Sequence, residues 1–290
     1  MNSFKRDLIA INVSTLILGI AGLFAKWISL PAYVIIFGRS CVASVFLISL
    51  CLLLKKIRLK QSLKVKSRLL LSGFFMMLHW IFFYQAIQVS SVSIGVISTF
   101  TYPLITSLLE PFWIKKPFSI KLVFKTIIIL LGLYILLDFN SSTINVFQGI
   151  AWGVLCAFTF TLRNLISRPL LQSMPAIWVM TCNVVVSALL LAPFCITAIS
   201  SISYSNLILI SIAGILVSGI GHSLFLQSMQ SLSASLSSIF ATLQLPCAVL
   251  ASWAFLAEPI SPSIIIGGSL ILGVVLLEQI QILYIQNSQN

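Results

Sequence analysis

The sequence predicts an all-α polytopic membrane protein, with ten transmembrane helices arranged as two inverted five-helix repeats. Three observations carry that prediction. Of the 290 residues, 59% are hydrophobic and only 8% are charged, whereas a soluble domain carries about 25% charged residues. Apolar segments of bilayer-crossing length, about 20 residues, fill nearly the whole chain. Short motifs from the first half also recur in order in the second, about half a chain later. The composition excludes a soluble enzyme, a disordered chain and a coiled coil. It also tells against nucleic-acid binding despite the net charge of +12, because too little polar surface is left to keep the chain in water.

The first span, 8–27, follows Lys5 and Arg6 and so mimics a signal peptide, but its apolar run is longer and another span follows at once. A retained helix is expected. The second, 31–54, carries Arg39. A connection of about a dozen residues, Lys55–Arg68, holds seven basic residues before the third span, 68–88. The fourth, 91–113, contains Pro103 and Glu110, and the fifth is 120–138. The second half repeats this plan at 146–167, 175–198, 205–226, 231–256 and 262–284, with Pro246 in the ninth span and Glu278 in the tenth. The junctions near 88–91 and 227–231 are the tightest.

Basic residues set the orientation. With the N-terminus in the cytoplasm and ten spans alternating, 15 of the 17 Lys and Arg fall on the cytoplasmic side, leaving Lys26 outside and Arg39 within a span. Cytoplasmic connections are enriched in Lys and Arg, so both termini are expected inside a cytoplasmic (inner) membrane. The positive charge implies contact with lipid headgroups. The six cysteines lie in spans without CxxC spacing, and small buried apolar residues are the expected role.

The internal repeat divides the chain into 1–140 and 141–290. Gln85-Ala-Ile-Gln88 recurs as Gln227-Ser-Met-Gln230, each followed by serines. Pro103 and Pro246, Gly132 and Gly273, and the only histidines, His79 and His222, keep nearly the same offset. An odd number of spans per unit makes the second copy enter from the opposite face. Such inverted pairs recur in secondary transporters, with the substrate site near the midplane.

On these residues the chain resembles the drug/metabolite transporter superfamily, in its ten-helix EamA-type members, over essentially its whole length. The resemblance rests on the paired units and Arg39-Ser-Cys-Val-Ala43 in the second span. It also rests on Gly19 and Lys26 in the first, the prolines of spans four and nine, Gly132 and Gly273, and Pro246 followed by Ala257-Glu258-Pro259. The first half departs from the family pattern: Lys115 and Lys116 stand where an acidic residue is common, Glu110 lies earlier, and Leu18-Gly19 replaces an aromatic-Gly pair. The resemblance implies carriage of a metabolite, amino acid or drug-like solute without ATP hydrolysis, and it leaves the solute open.

Ionisable residues inside spans are costly and are the default functional candidates. Arg39 could clamp a substrate carboxylate or serve as a structural clamp. His79, Trp80 and Tyr84, with His222 in the equivalent span, suit a solute that stacks and hydrogen-bonds, and packing is the alternative. Tyr102, Thr106 and Glu110 follow Ser98 at four-residue steps, and Trp152 begins a similar face running to Arg163. Four-residue spacing places side chains on one helix face. Gly214, Ser218 and Gly221 form a small-residue stripe expected to pack. Gln244 precedes Pro246 by two residues. The expected substrate pathway is thus Arg39, His79, Trp80, Tyr84, Tyr102, Thr106, Trp152, His222 and Gln244. Glu110, Arg163 and Glu278 form an expected inner gate or proton site, and Pro103 and Pro246 are the hinges.

No phosphate-cradling Gly-Lys-Ser/Thr loop occurs in the sequence. The expectation is therefore a non-enzymatic secondary transporter without a cofactor, whose partners are a small solute and membrane lipid, with a homodimer left open. Alternatives are a facilitated exchanger or uptake carrier and, from another class, an intramembrane lipid-modifying enzyme or a non-transporting sensor.

Overall fold

Side chains that are apolar on all sides, in runs without backbone breaks, make helices the only way to satisfy main-chain N–H and C=O groups inside lipid. The computed structural model is accordingly all-helical among its described residues. These are 3–90, 92–115, 120–136, 146–195 and 202–257, with 262, 265, 266, 269, 270, 273, 274 and 277 beyond them. The first half comprises α1 (Ser3–Gly19), α2 (Ala21–Trp27), α3 (Ala32–Leu53), α4 (Leu63–Val89), α5 (Val92–Thr99), α6 (Tyr102–Ile114) and α7 (Ile120–Leu136). The second comprises α8 (Val146–Leu171), α9 (Ala176–Cys195), α10 (Tyr204–Ala213), a π-helical segment (Gly214–Gly221), α11 (His222–Ser228), α12 (Ala234–Ala241) and α13 (Gln244–Leu256).

Seven helical stretches among the described residues are long and apolar enough to cross a membrane, including Phe4–Trp27, Tyr204–Ser228 and Ala234–Leu256, each built from consecutive helices. The sequence predicts ten. The fourth predicted span is two short helices, α5 and α6, broken at Phe100–Thr101. The fifth is the 17-residue α7. The tenth falls mostly outside the described residues, as does Glu278.

The repeat extends to helix limits. α5 and α12 each have 8 residues, α6 and α13 each have 13, and each second-half helix begins 142 positions after its counterpart. α6 and α13 both end on a left-handed residue, Lys115 and Ala257. Pro31 and Pro175 open α3 and α9 in the same way, accepting from the amides three and four residues on. Ser62 and Ser203 cap α4 and α10 through their hydroxyls. These devices satisfy donors that a helix start leaves unpaired.

Breaks recur as well. Beside Pro103, Thr101 N–H bonds Ser98 O; near Pro246, Thr242 N–H bonds Ile239 O and Leu243 N–H bonds Phe240 O. A proline cannot donate to the preceding turn and its ring crowds the carbonyl four residues back, so the helix tightens or breaks there.

The broadest helix pairings join the halves, α4 along α8 and α3 along α9. Polar side chains lie inside, including Arg39, Arg163, Asn164 and Asn183, while Phe112, Phe124, Phe147 and Phe194 face outward. That inversion suits a lipid solvent. Close approach relies on small residues: a Cβ on Gly153 would stand 2.3 Å from Ser98 Cβ and 3.1 Å from its carbonyl carbon. Substituting Gly153→Val should therefore force α5 from α8 and cost about 1–3 kcal/mol. The expected outcome is a lower unfolding midpoint for the purified protein, and an unchanged midpoint would refute the close contact.

Candidate functional site

Arg39 is held deep in the bundle by groups from both halves. It is fully buried. Its Nε and Nη2 donate to Ser218 Oγ at 3.1 and 2.8 Å, and Nη1 donates to Tyr84 Oη at 2.6 Å. The guanidinium carbon lies 5.5 Å from the Trp80 ring centroid and 5.1 Å from that of Tyr84. Tyr84 is oriented in turn by donation to Ala21 O at 3.5 Å. These contacts bring α3, α4, α2 and the π segment to one point.

Ser218 lies in the π segment, and such turns gather at functional sites. Gly214 lets the segment pass the α3 backbone, since a Cβ there would sit 3.0 Å from Arg39 O. Gly221 packs on Ile17 and Leu18, and its carbonyl accepts from Ser14 Oγ at 2.8 Å. The glycines thus pack as the stripe suggests, but Ser218 is also the chief partner of Arg39.

Next to Arg39 lies an aromatic and imidazole cluster. Trp80 Nε1 donates to His222 Nε2 at 3.0 Å. His79 stacks on Phe160 at 4.2 Å between ring centroids and approaches His222 edge-on at 6.3 Å. His79 Nδ1 lies 3.3 Å from Cys156 O. Tyr102 packs edge-on against Phe160 at 5.0 Å and donates to Ser238 O at 3.3 Å.

These residues line a cavity of about 50 Å³. Its wall includes Arg39, His79, Trp80, Tyr102, His222 and Gln244 from the expected pathway. Phe83, Phe100 and Phe160 add to it. Tyr84 acts through Arg39 and is not in the wall. Thr106 instead meets Thr161 at 3.0 Å, and Trp152 packs on Phe82 at 5.3 Å; neither borders the cavity. The break beside Pro103 interrupts the expected face of helix four, leaving Ser98 on α5 and Tyr102, Thr106 and Glu110 on α6.

Glu110 belongs to a second cluster, at the end of the bundle where α1 begins. Its carboxylate accepts the amides of Ala234 and Ser235, both at 2.8 Å, together with the Ser235 hydroxyl. A first-half carboxylate thereby caps the N-terminus of second-half α12, where the helix dipole favours negative charge. Arg168, rather than Arg163, is the cation beside it, at 3.7 Å, and Arg168 also donates to Leu232 O at 2.6 Å. Asp7, one residue before the first predicted span, is buried here, pairing with Arg6 at 3.0 Å and accepting from Ser231 Oγ at 2.7 Å. Arg163 lies elsewhere, bonding Asn164 Oδ1 and Met180 Sδ and standing 5.8 Å from the Phe160 ring.

A pair of glutamines marks opposite ends of the bundle. Gln88 Nε2 donates to Leu30 O at 2.9 Å, beside the α2–α3 connection. Gln230 Nε2 donates to Leu171 O at 3.4 Å, beside the α8–α9 connection and next to Arg6. The two are repeat equivalents, so the same contact recurs within each half, at opposite ends of the bundle. The Gln-x-x-Gln motif in the sequence was the visible trace of this pair.

Helices broken around a buried cavity, in two similar halves with apolar stretches of bilayer-crossing length, define a multi-pass membrane protein. The sequence pattern of the EamA-like transporter family matches residues 6–138 and again residues 147–278. The chain belongs to the EamA-like transporter family. It is 26% identical over 249 residues to a Bacillus subtilis (strain 168) protein named "Uncharacterized transporter YxxF", covering 84% of this chain and 79% of that relative. A solved structure titled only "Crystal structure of protein" superposes with a TM-score of 0.74 at 18% identity, covering 95% of this chain and 96% of that one. At that identity the likeness is one of fold.

Loss of the Glu110 charge should loosen the start of α12. Hydrogen bonds to a charged group contribute about 1.5–3 kcal/mol each, so Glu110→Gln is expected to speed hydrogen exchange at Ala234 and Ser235 by about tenfold or more. Unchanged exchange at these amides would refute the capping role.

Proposed function

We propose that the protein is a secondary transporter that moves a small organic solute across the cytoplasmic membrane by alternating access, with the Arg39–His222 cavity as its solute site. In this reading residues 1–140 and 141–290 are the two halves, inverted relative to each other, and both termini are cytoplasmic. The observation that carries it is the repeat itself, in which helix limits, breaks and glutamine contacts recur in each half at opposite ends. Two similar halves in inverted orientation have two exchanged arrangements of similar energy, and that is what alternating access requires. A lipid-modifying enzyme or a static sensor has no use for such an exchange.

The cavity supports the reading by its size as well as its position. A volume of about 50 Å³ holds a few waters and is too small for an organic solute. The halves must part to load it. Closure at the α1 end then depends on Asp7, Glu110, Arg168 and Gln230, which all hold the segment 230–235. Pro103 and Pro246, beside the helix breaks, are the natural pivots. A solute contacting Arg39 meets both halves at once, so its binding is coupled to their relative position.

Proton coupling fits the gate better than the cavity. Glu110 is not in the cavity wall; it holds α12. A proton on its carboxylate would weaken acceptance from two amides and release the inner closure. Solute flux into proteoliposomes should therefore follow an imposed pH gradient. Flux indifferent to the gradient would leave facilitated exchange, with the gate driven by solute alone. Counterflow tests the wider reading: accumulation of labelled solute against preloaded unlabelled solute is expected, whereas a chemically altered product would point to an enzyme.

Orientation has its own check. A cysteine introduced as Lys60→Cys should react with a membrane-impermeant thiol reagent only from the cytoplasmic side. Labelling from outside would reverse the assignment.

A further inference from the structure

The hydrogen-bonding state of the cavity selects a solute chemistry. The argument rests on the reading of this cavity as the solute site and deepens it. Trp80 Nε1–H can only donate, so His222 Nε2, 3.0 Å away, must accept. In a neutral ring the proton then sits on Nδ1. That Nδ1 is buried and has no hydrogen-bond partner among the described residues, and the ring borders the cavity. The wall therefore holds an unanswered N–H donor.

Arg39 adds an unanswered charge. Its described partners are two hydroxyls and two aromatic faces, all neutral. Three of its five N–H groups are used by Ser218 and Tyr84, which leaves donor capacity on both Nη atoms. None of the described residues in the cavity wall is acidic. A buried charge without a counter-charge is costly, and an anion in the cavity would offset that cost. A cation beside Arg39 would add to it.

The rest of the wall is aromatic and aliphatic. Phe83, Phe100, Tyr102 and Phe160 surround the imidazoles, and their edge-on and stacked packing suits a further ring. Arg39 and His222 Nδ1 are the wall groups shown to have donor capacity left over.

We propose that the solute is an aromatic carboxylate that lacks an ammonium group, its carboxylate shared between Arg39 and His222 Nδ1–H and its ring lodged among Phe83, Phe100, Tyr102 and Phe160. The loaded site is then electrically neutral. An amino acid would bring an ammonium for which the described wall has no carboxylate, and an aromatic amine would place a second cation next to the guanidinium.

Four probes that share one ring separate these classes: phenylacetate, phenylacetamide, phenylalanine and phenethylamine. The full chain is purified and its unfolding midpoint measured with each, since a ligand of the native state raises it. Phenylacetate should raise the midpoint most, and phenethylamine least. In Arg39→Gln the order of phenylacetate and phenylacetamide should reverse, a change of about tenfold or more in their affinity ratio. A merely structural role for Arg39 would weaken both alike. The order in the unmodified chain needs no variant, so the test survives if Arg39→Gln fails to fold.

Stabilisation by phenylalanine or phenethylamine equal to that by phenylacetate overturns the proposal, as does the absence of any response to the four. Counterflow of phenylacetate in proteoliposomes keeps the failures apart. Binding without counterflow supports the solute class and overturns the transport reading. Counterflow of other solutes with no phenylacetate binding does the opposite.

Discussion

Inside a bilayer every main-chain N–H and C=O must find a partner within the protein, and this requirement shapes the molecule. It dictates helices along nearly the whole described chain, and it permits irregular backbone only where protein or water can answer the freed groups. Three irregular stretches within the described spans illustrate it. The break at Phe100–Thr101, the break at Thr242–Leu243 and the π turns from Gly214 to Gly221 all come to the interior. Phe100, Tyr102, Val217 and Gln244 from these stretches and their borders line the same cavity. The cavity is the place where backbone regularity has been given up, and the side chains gathered there complete what the backbone leaves open.

Arg39 depends on the same arrangement. Its guanidinium is fully buried and its described partners are neutral, so hydroxyls and ring faces must stand in for water. Ser218 reaches it from the π segment, and Gly214 is able to sit on the Arg39 carbonyl because it has no side chain. Tyr84 reaches it from α4 while leaning on Ala21. Four elements from two halves therefore converge on one charge. Whatever moves the halves apart must loosen that convergence, so the buried charge ties the cavity to the global arrangement.

Much of this was legible in the residues and some was not. The apolar runs, the repeat and the two proline sites could be read because they depend on composition and local sterics. Arg39 and the histidine pair stood out because charge and imidazole are rare in spans. Ser218 did not, because a serine in a stripe of small residues reads as helix packing. Asp7 precedes the first predicted span, 8–27, where a carboxylate is expected to meet solvent; in the fold it is buried against Ser231, more than two hundred residues away. The stripe from Ser98 to Glu110 assumed one straight helix, and Pro103 is the reason it is two. Trp152 and Thr106 lie on the expected faces, but those faces meet Phe82 and Thr161 rather than the cavity.

The two ends of the bundle are alike in backbone and unlike in charge, and the difference has a consequence. Gln88 and Gln230 make equivalent contacts, so the repeat by itself would hold the two ends with similar strength. Both described carboxylates, Asp7 and Glu110, lie at the end held by Gln230, and both accept from the segment that runs from Ser231 into α12. Charge-assisted hydrogen bonds are roughly twice as strong as neutral ones. The contacts at this end are accordingly the stronger of the two. If the halves alternate as proposed, carboxylates at one end favour the arrangement that is closed there, so the charge difference sets a bias that the repeat alone does not.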